Sequence, residues 1–288
     1  MNDLIEEYAL LNDIIFGICN ADDLTGESED IVNIPFFKGN FCGRVSPEAF
    51  LNGAKSVIVL GSKTDRTPVF EGLDQVMAAS MSGVDYHNRL GAIAQGLVSK
   101  MLERVPFNFK IQLDTGPLIE RSFALKAGLG FVGLNRCIIN HEIGSFFNIA
   151  LIVVDIGLDS TQQNDVPVCE GCGKCISACP GKALSTTKFD YTRCISYLTQ
   201  KKGVLTEEEM NLIGASIYGC DICQNVCPHN SIDEALRQNG DAAEVIKNIL
   251  KMSRSQFNEN FRASNFFWRG KSIIKRNCLI VLRNLETD

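Results

Sequence analysis

Three features of the sequence predict a mixed α/β (α+β) fold in three parts. Continuous apolar runs rich in β-branched residues, SVIVLG at 56–61 and FFNIALIVV at 146–154, read as buried strands set among amphipathic helical patterns. A polar, proline-containing stretch, QNDVP at 163–167, breaks this alternation. Beyond it, cysteines gather at short fixed intervals. The predicted domains are therefore 1–163, an α/β domain; 164–232, a cysteine-dense module; and 233–288, a short helical, basic segment. A chain of 288 residues can bury a proper core in one large or two modest domains.

In chain order, Leu4, Ile5, Tyr8, Leu11 and Ile15 recur at helical spacing, so 3–19 reads as a first helix. Ser46-Pro47-Glu48 opens a short helix, with Pro47 in its first turn. Between 73 and 104, Tyr86, Leu90, Ile93, Leu97 and Met101 step by three or four and predict one long helix. His87 within it reads as a structural polar residue. NFKIQLD at 108–114 alternates like a strand and ends at Asp114. Pro117 and the glycines at 128 and 130 bracket the helix that follows. Asp114 thus stands at a strand-to-helix junction, where side chains commonly point into a cleft. Further strands are predicted at 136–140 and 146–154.

In the cysteine module, residues 191–200 (YTRCISYLTQ) read as a helix carrying Cys194. Thr206 and Glu209 form a capping box at the head of a helix over 206–219. Helical periodicity resumes at VIKNILKM (245–252). The aromatic cluster Phe266, Phe267 and Trp268 follows, then an amphipathic helix, SIIKRNCLIVLRNL. Trp268, the only tryptophan, reads as a core residue, with stacking on a nucleic-acid base as the alternative.

Composition narrows the class. With 45% hydrophobic and 22% charged residues the chain is an ordinary soluble protein. The N-terminus carries acids early and has no basic n-region, so no signal peptide is expected. No apolar run approaches the ~20 residues of a membrane span. Twelve cysteines without a leader point to the reducing cytoplasm, with thiols serving as ligands. The net charge of −6 does not advertise nucleic-acid binding. Nine basic residues nevertheless fall between Lys247 and Arg283 against one acid, Glu259, which reads either as an anion or RNA footprint or as a solvated helix face.

The most specific signal is CEGCGKCISACP at 169–180. Cys169, Cys172, Cys175 and Cys179 follow the spacing C-x2-C-x2-C-x3-C-P, the run by which bacterial-type ferredoxins hold [4Fe–4S] clusters. Three thiolates serve one cube and the fourth, beside Pro180, usually serves a second. CDICQNVCP at 220–228 supplies Cys220, Cys223 and Cys227, and Cys194 can complete the set of eight. Tetrahedral zinc fits this spacing poorly, because zinc sites are usually built from separated C-x2-C pairs. Two [4Fe–4S] clusters are expected, with the two cysteine motifs packed face to face.

With these residues in view, the chain resembles the epoxyqueuosine reductase family, cobalamin-dependent iron–sulfur enzymes of queuosine synthesis. The matching pieces are VDYH (84–87), LDTGPLIER (113–121), AGLGFVGLN (127–135), the cysteine run, RCISYLTQ (193–200), YGCDICQNVCP (218–228) and WRGKSIIKRN (268–277). The resemblance implies a nitroreductase-like cobalamin-binding domain ahead of a ferredoxin-like double-cluster module. It implies one cluster on Cys169, Cys172, Cys175 and Cys227, and another on Cys179, Cys194, Cys220 and Cys223. Asp114 matches the proton donor, and Arg121, taken as two helical turns further along the same face, matches a pocket arginine. Arg44, His87, Asp114, Ile138, Ile149 and Ser196 match positions around the cobalamin. Arg269, Lys271, Lys275 and Arg276 are the expected tRNA contacts. The implied partners are tRNA and an external low-potential electron donor, with the chain a cytoplasmic monomer. Two departures stand out: Leu134 replaces a lysine usual in the family, and the chain ends at Asp288 where longer members continue into a HEAT-like repeat that helps grip tRNA. The competing readings are a ferredoxin-type electron carrier, which has no need of the first domain, and a reductive dehalogenase-like enzyme, which usually carries an export leader.

Overall fold

The computed structural model describes residues 1–25, 41–114, 116–161, 168–230 and 241–287. It divides into two compact units: Met1–Lys63 with Tyr86–Glu170, and Thr64–Asp85 with Gly171–Asp288. The sequence places boundaries near 163 and 232; in the structure residues 64–85 leave the first unit and fold with the second. The predicted linker at 163–167 lies outside the described residues.

The first unit is built on a four-stranded antiparallel sheet. β1 (Ile15–Asn20), β2 (Ser56–Lys63), β3 (Phe109–Gln112) and β6 (Phe147–Val154) run in the order β1-β2-β6-β3. β2 and β6 are central and pair from Ser56 against Val154 to Lys63 against Phe147. Both faces are covered, which is why these two strands read as unbroken apolar runs. Ile58, Leu60, Ile152 and Val154 pack under the helices Asn2–Leu11 and Tyr86–Leu102. Val57, Val59, Leu151 and Val153 pack with Phe123 and Ala124 of the helix Glu120–Lys126. A small ribbon pairs β4 (Phe131–Val132) with β5 (Ile138–Ile139).

Two helix expectations are corrected here. The helix expected over 3–19 stops at Leu11, where the Asn12 side chain donates to the Tyr8 carbonyl and Asp13 turns the chain at φ 51°. Residues 15–20 then form an edge strand on β2, because pairing in a sheet outweighs a local helical period. Gly17 is required there, since a Cβ would stand 2.1 Å from the Ala127 carbonyl oxygen. The long helix expected from 73 is broken into Leu73–Val76, Ala79–Ser82 and Tyr86–Leu102. Leu73 and Val76 face a different core from Leu90 and Leu97, so no single helix serves both.

The second unit is mostly helical. Its core joins Leu198, Ile213, Ile217, Tyr218, Ile246, Phe257, Phe261, Phe266, Ile274 and Val281 with Leu73 and Val76. Thr206 and Glu209 make the expected capping box, but that helix ends at Ile213, where Gly214 takes φ 57°. The helices Ala242–Lys251, Arg254–Phe261 and Lys271–Thr287 complete the unit. Trp268 is not a core residue: it is 60% exposed, with the Arg269 guanidinium 4.6 Å over its ring. No described helix is long and apolar enough to cross a membrane.

Candidate functional site

The cysteine motifs come together as expected. The helix Lys174–Ala178, carrying Cys175, packs against the helix Ile222–Asn225, carrying Cys223. Gly171 and Gly173, at φ 69° and 71°, coil the chain ahead of Cys175 in a left-handed conformation that other residues adopt only at a cost. Cys172 on this loop is exposed, while Cys169, in the last residues of the first unit, and Cys227 are partly covered. The described cysteines form no disulfide.

Cys179, Cys194 and Cys220 lie near enough for a charge on one to disfavour a charge on the next. Burial pushes the Cys220 thiol up to about 12; the Ile222 N–H opposes this, and Cys194, Asp221 and Cys179 add to it. Burial likewise raises Cys194, against the N–H groups of Tyr197 and Ser196 and with a contribution from Cys179. The Ala183 N–H donates to Cys179 Sγ at 3.4 Å. Such sulfurs ionise together only beside a compensating positive charge. Cluster iron supplies it, and N–H···S bonds tune the cluster's potential. Among the described residues no three His, Cys, Asp or Glu side chains close around the point of a single ion. A cube asks for wider spacing, because each of its thiolates takes a different iron. The all-sulfur donor set and its backbone N–H partners fit a [4Fe–4S] cluster. Cys194 stands as the N-cap of the helix Ile195–Gln200 rather than inside a helix, after a 3-10 turn at Tyr191–Arg193.

Asp114 lies in the first unit, on the loop between β3 and the helix Glu120–Lys126. That helix begins at Glu120, with Ile119 as N-cap, so Asp114 does not cap it and Arg121 is not two helical turns away along one face. Instead the loop is folded over Gln112, whose Nε2 donates to the Leu118 carbonyl and whose Oε1 accepts from the Leu118 N–H, both at 2.8 Å. A Cβ at Gly116 would stand 2.1 Å from the Gln112 side chain, so any larger residue there displaces Gln112 from these bonds. Asp114 is exposed at φ 51°, a strained conformation that Asp tolerates better than most residues. Gln112 and Glu120 are site residues that sequence reasoning missed. Gln112 Nε2 also donates to Glu120 Oε1 at 3.2 Å. Burial pushes the Glu120 carboxyl up to about 8, the Asp114 charge raises it further, and Gln112, the Asp114 N–H and Arg121 work the other way. The adjacency of Glu120 to Arg121 within the LIER segment was the signal available. Arg121 Nη1 donates to the Arg136 carbonyl at 2.6 Å, tying the Asp114 loop's helix to the 127–137 segment.

The remaining positions expected around the cobalamin divide between the units. Arg44 is 2% exposed in the short helix Phe41–Val45, and its carbonyl accepts from the Ile119 N–H at 3.1 Å. His87 opens the helix Tyr86–Leu102, stacked on Tyr86 at 4.3 Å. Ile138 is buried in β5, and Ile149 lies in β6 opposite Gly61. Ser196 belongs to the second unit, in the helix that follows Cys194. Asn135, beside Leu134, is buried with its Nδ2 donor reaching no partner among the described residues. A buried amide donor and a buried guanidinium fit a group rimmed with acceptor amides, as a corrin is.

Three of the four expected tRNA contacts are engaged inside the second unit. Arg269 Nε donates to the Gln200 carbonyl at 2.6 Å, Arg276 Nη1 to the Lys201 carbonyl at 2.6 Å, and Lys271 Nζ to the Met252 carbonyl. Lys275 alone of the four is exposed.

Residues 168–230 match the family model described as a 4Fe-4S double cluster binding domain. Curated epoxyqueuosine reductases from Bacillus cereus and Lactococcus garvieae are each 32% identical to the chain, over 84% and 85% of it and over 67% and 73% of their own lengths. The solved epoxyqueuosine reductase of Streptococcus thermophilus superposes on 99% of the chain, and 81% of its own, at 28% identity and a TM-score of 0.88. An epoxyqueuosine reductase solved with an epoxyqueuosine-modified tRNA-Tyr stem loop matches over the same shares at 28% identity and a TM-score of 0.83. The Bacillus subtilis enzyme, solved with the loop of its catalytic aspartate swung out of the active site, matches at 28% identity and a TM-score of 0.82, over 99% of this chain and 81% of its own. Identity of this level over this much of the chain places both units, and not the cluster module alone, within one family. The chain belongs to the epoxyqueuosine reductase family.

Proposed function

We propose that this chain reduces the epoxide of epoxyqueuosine in tRNA to the alkene of queuosine, taking up two electrons and two protons and releasing water. The observation that carries the reading is the union, in one chain, of a double-cluster module with the Asp114 loop domain. A plain electron carrier has no use for the second of these.

When bound, the clusters supply single electrons in series and cobalamin supplies the two-electron chemistry at the epoxide. Cys169, Cys172, Cys175 and Cys227 would hold one cluster, and Cys179, Cys194, Cys220 and Cys223 the other. Arg44, His87, Ile138 and Ile149 of the first unit would hold the cobalamin. The opening oxygen needs a proton, and Asp114, which matches the family's proton donor, is the general acid assigned to give it. Gln112 anchors the loop that carries Asp114, and Glu120 receives that loop's backbone N–H. Phosphates of the tRNA fall to the exposed Lys247, Lys251, Arg254, Arg262 and Lys275 rather than to Arg269 and Arg276, which are turned inward. An external low-potential donor feeds the clusters.

The test is anaerobic turnover. The purified chain, reconstituted with iron, sulfide and cobalamin and given a strong reductant, is incubated with tRNA carrying epoxyqueuosine, and the nucleosides are read by mass spectrometry. Queuosine formation supports the reading; a cluster- and corrin-loaded chain that leaves epoxyqueuosine intact overturns it.

A further inference from the structure

We propose that Asn277 and Arg276, on the last helix, are positioning residues for the second cluster: they fix the placement of Cys194 relative to Cys220, two thiols delivered by separate stretches of chain. The proposal rests on the ligand assignment given above. Asn277 is completely buried. Its Nδ2 donates to the Thr199 carbonyl at 2.7 Å and to the Ile217 carbonyl at 2.8 Å. Its Oδ1 accepts from Arg276 Nε at 3.0 Å and Nη2 at 2.8 Å. Arg276 also donates to the carbonyls of Lys201 at 2.6 Å, Gly203 at 2.7 Å and Leu198 at 3.3 Å.

These bonds connect two places. One is the C-terminal end of the helix Ile195–Gln200, whose last carbonyls have no partner within the helix. The other is the strand of chain entering Cys220. They are joined a second time where the Gly219 N–H donates to Thr199 Oγ1 at 3.0 Å, and a third where the Tyr218 hydroxyl donates to Gln200 Oε1 at 3.2 Å. Gly219 admits no side chain: it takes φ 73°, and a Cβ would meet Ala78 and Met81 at 2.8 Å. Cys194 caps the other end of the same short helix, so a shift at Thr199 moves Cys194 with it. The WRGK-to-KRN segment of this chain thus acts as a brace for the cluster, which accounts for its inward-facing guanidinium groups where tRNA contact does not.

The experiment compares full-length Asn277→Ala, Thr199→Val, Thr199→Ser and Cys194→Ala after anaerobic reconstitution with iron and sulfide. Iron is counted, and the reduced clusters are read by electron paramagnetic resonance with their midpoint potentials. The expected result is that Asn277→Ala and Thr199→Val, like Cys194→Ala, fall from about eight irons to about four or shift the signal and potential of one cluster. The other cluster stays unchanged, and Thr199→Ser, which keeps the hydroxyl, behaves as wild type. Full iron in Cys194→Ala overturns the ligand assignment itself. Half the iron in Cys194→Ala, with full iron and both signals and potentials unaltered in folded Asn277→Ala and Thr199→Val, overturns the brace alone. Should Asn277→Ala fail to fold, the Thr199→Val and Thr199→Ser pair decides in the same way.

Discussion

Ser80 holds Asp221 from the far side of the sequence: its hydroxyl donates to Asp221 Oδ1 at 2.6 Å and its N–H to Oδ2 at 3.0 Å. Asp221 is 6% exposed and lies between Cys220 and Cys223 in the chain. The segment 64–85 therefore belongs to the second unit through a satisfied buried carboxyl as well as through apolar packing. Replacing Ser80 by Ala removes one partner and leaves the other. The expected cost is about 1–3 kcal/mol of stability, measured by denaturant unfolding of wild type and variant reconstituted to the same iron content. An unchanged midpoint shows that the hydroxyl contributes nothing.

Glu120 predicts a pH dependence. Its carboxyl is pushed up to about 8 in the folded chain, from 4.5 as its ordinary value. Between those values the unfolded chain gives up the proton and the folded chain keeps it, so this group's contribution to stability is complete below about 4.5 and lost as pH rises through about 8. Glu120→Gln abolishes that loss. Thermal melts at pH 5 and pH 8 should draw together in the variant; an unaltered gap between them excludes Glu120 as its source.

Asp114 is best replaced by Asn. Asn tolerates φ 51° as Asp does, so the backbone keeps its conformation while the acid is gone. Corrin binding, followed by absorption, should persist, and turnover should fall by about 10²–10⁴-fold. Turnover within a factor of two of wild type would falsify the general-acid role.

Cys227 stands apart from the run it is assigned to serve. Cys227→Ala should damage the cluster held by Cys169, Cys172 and Cys175 and spare the signal of the other. Iron analysis with electron paramagnetic resonance separates the two. Loss of the opposite signal reverses the assignment.

Charge removal distinguishes the exposed lysines from the inward arginines. Lys275→Gln, with Lys251→Gln, should weaken tRNA binding and flatten its salt dependence by about one unit of log–log slope for each phosphate that is no longer neutralised. Fluorescence anisotropy at several salt concentrations reads this directly. A wild-type slope in the double variant removes these lysines from the interface.

Much of the architecture was legible because it is written locally. The cysteine spacing is covalent, and a run of four sulfurs on a short loop admits few ligands whatever surrounds it. β2 and β6 announced themselves as continuous apolar segments because both sheet faces are covered. The capping box of Thr206 and Glu209 is a contact three residues long. Residues 3–19 misled because Ile15 fits both a helical period and an edge strand, and only the partner strand β2 decides between them.

By itself the sequence determined the cluster chemistry, the family resemblance and the position of Asp114 between a strand and a helix, although β3 ends two residues earlier, at Gln112. The tertiary structure decided what each polar side chain is used for. Arg269 and Arg276 look from the sequence like phosphate contacts, yet the carbonyls they meet belong to residues about seventy positions away. Gln112 lies outside the matching segments, and Glu120, Asp221 and Asn277 lie within them without a role that the segments assign. Their roles come from burial, where each donor and acceptor must find a partner, and which partner is present depends on chain segments that only folding brings together.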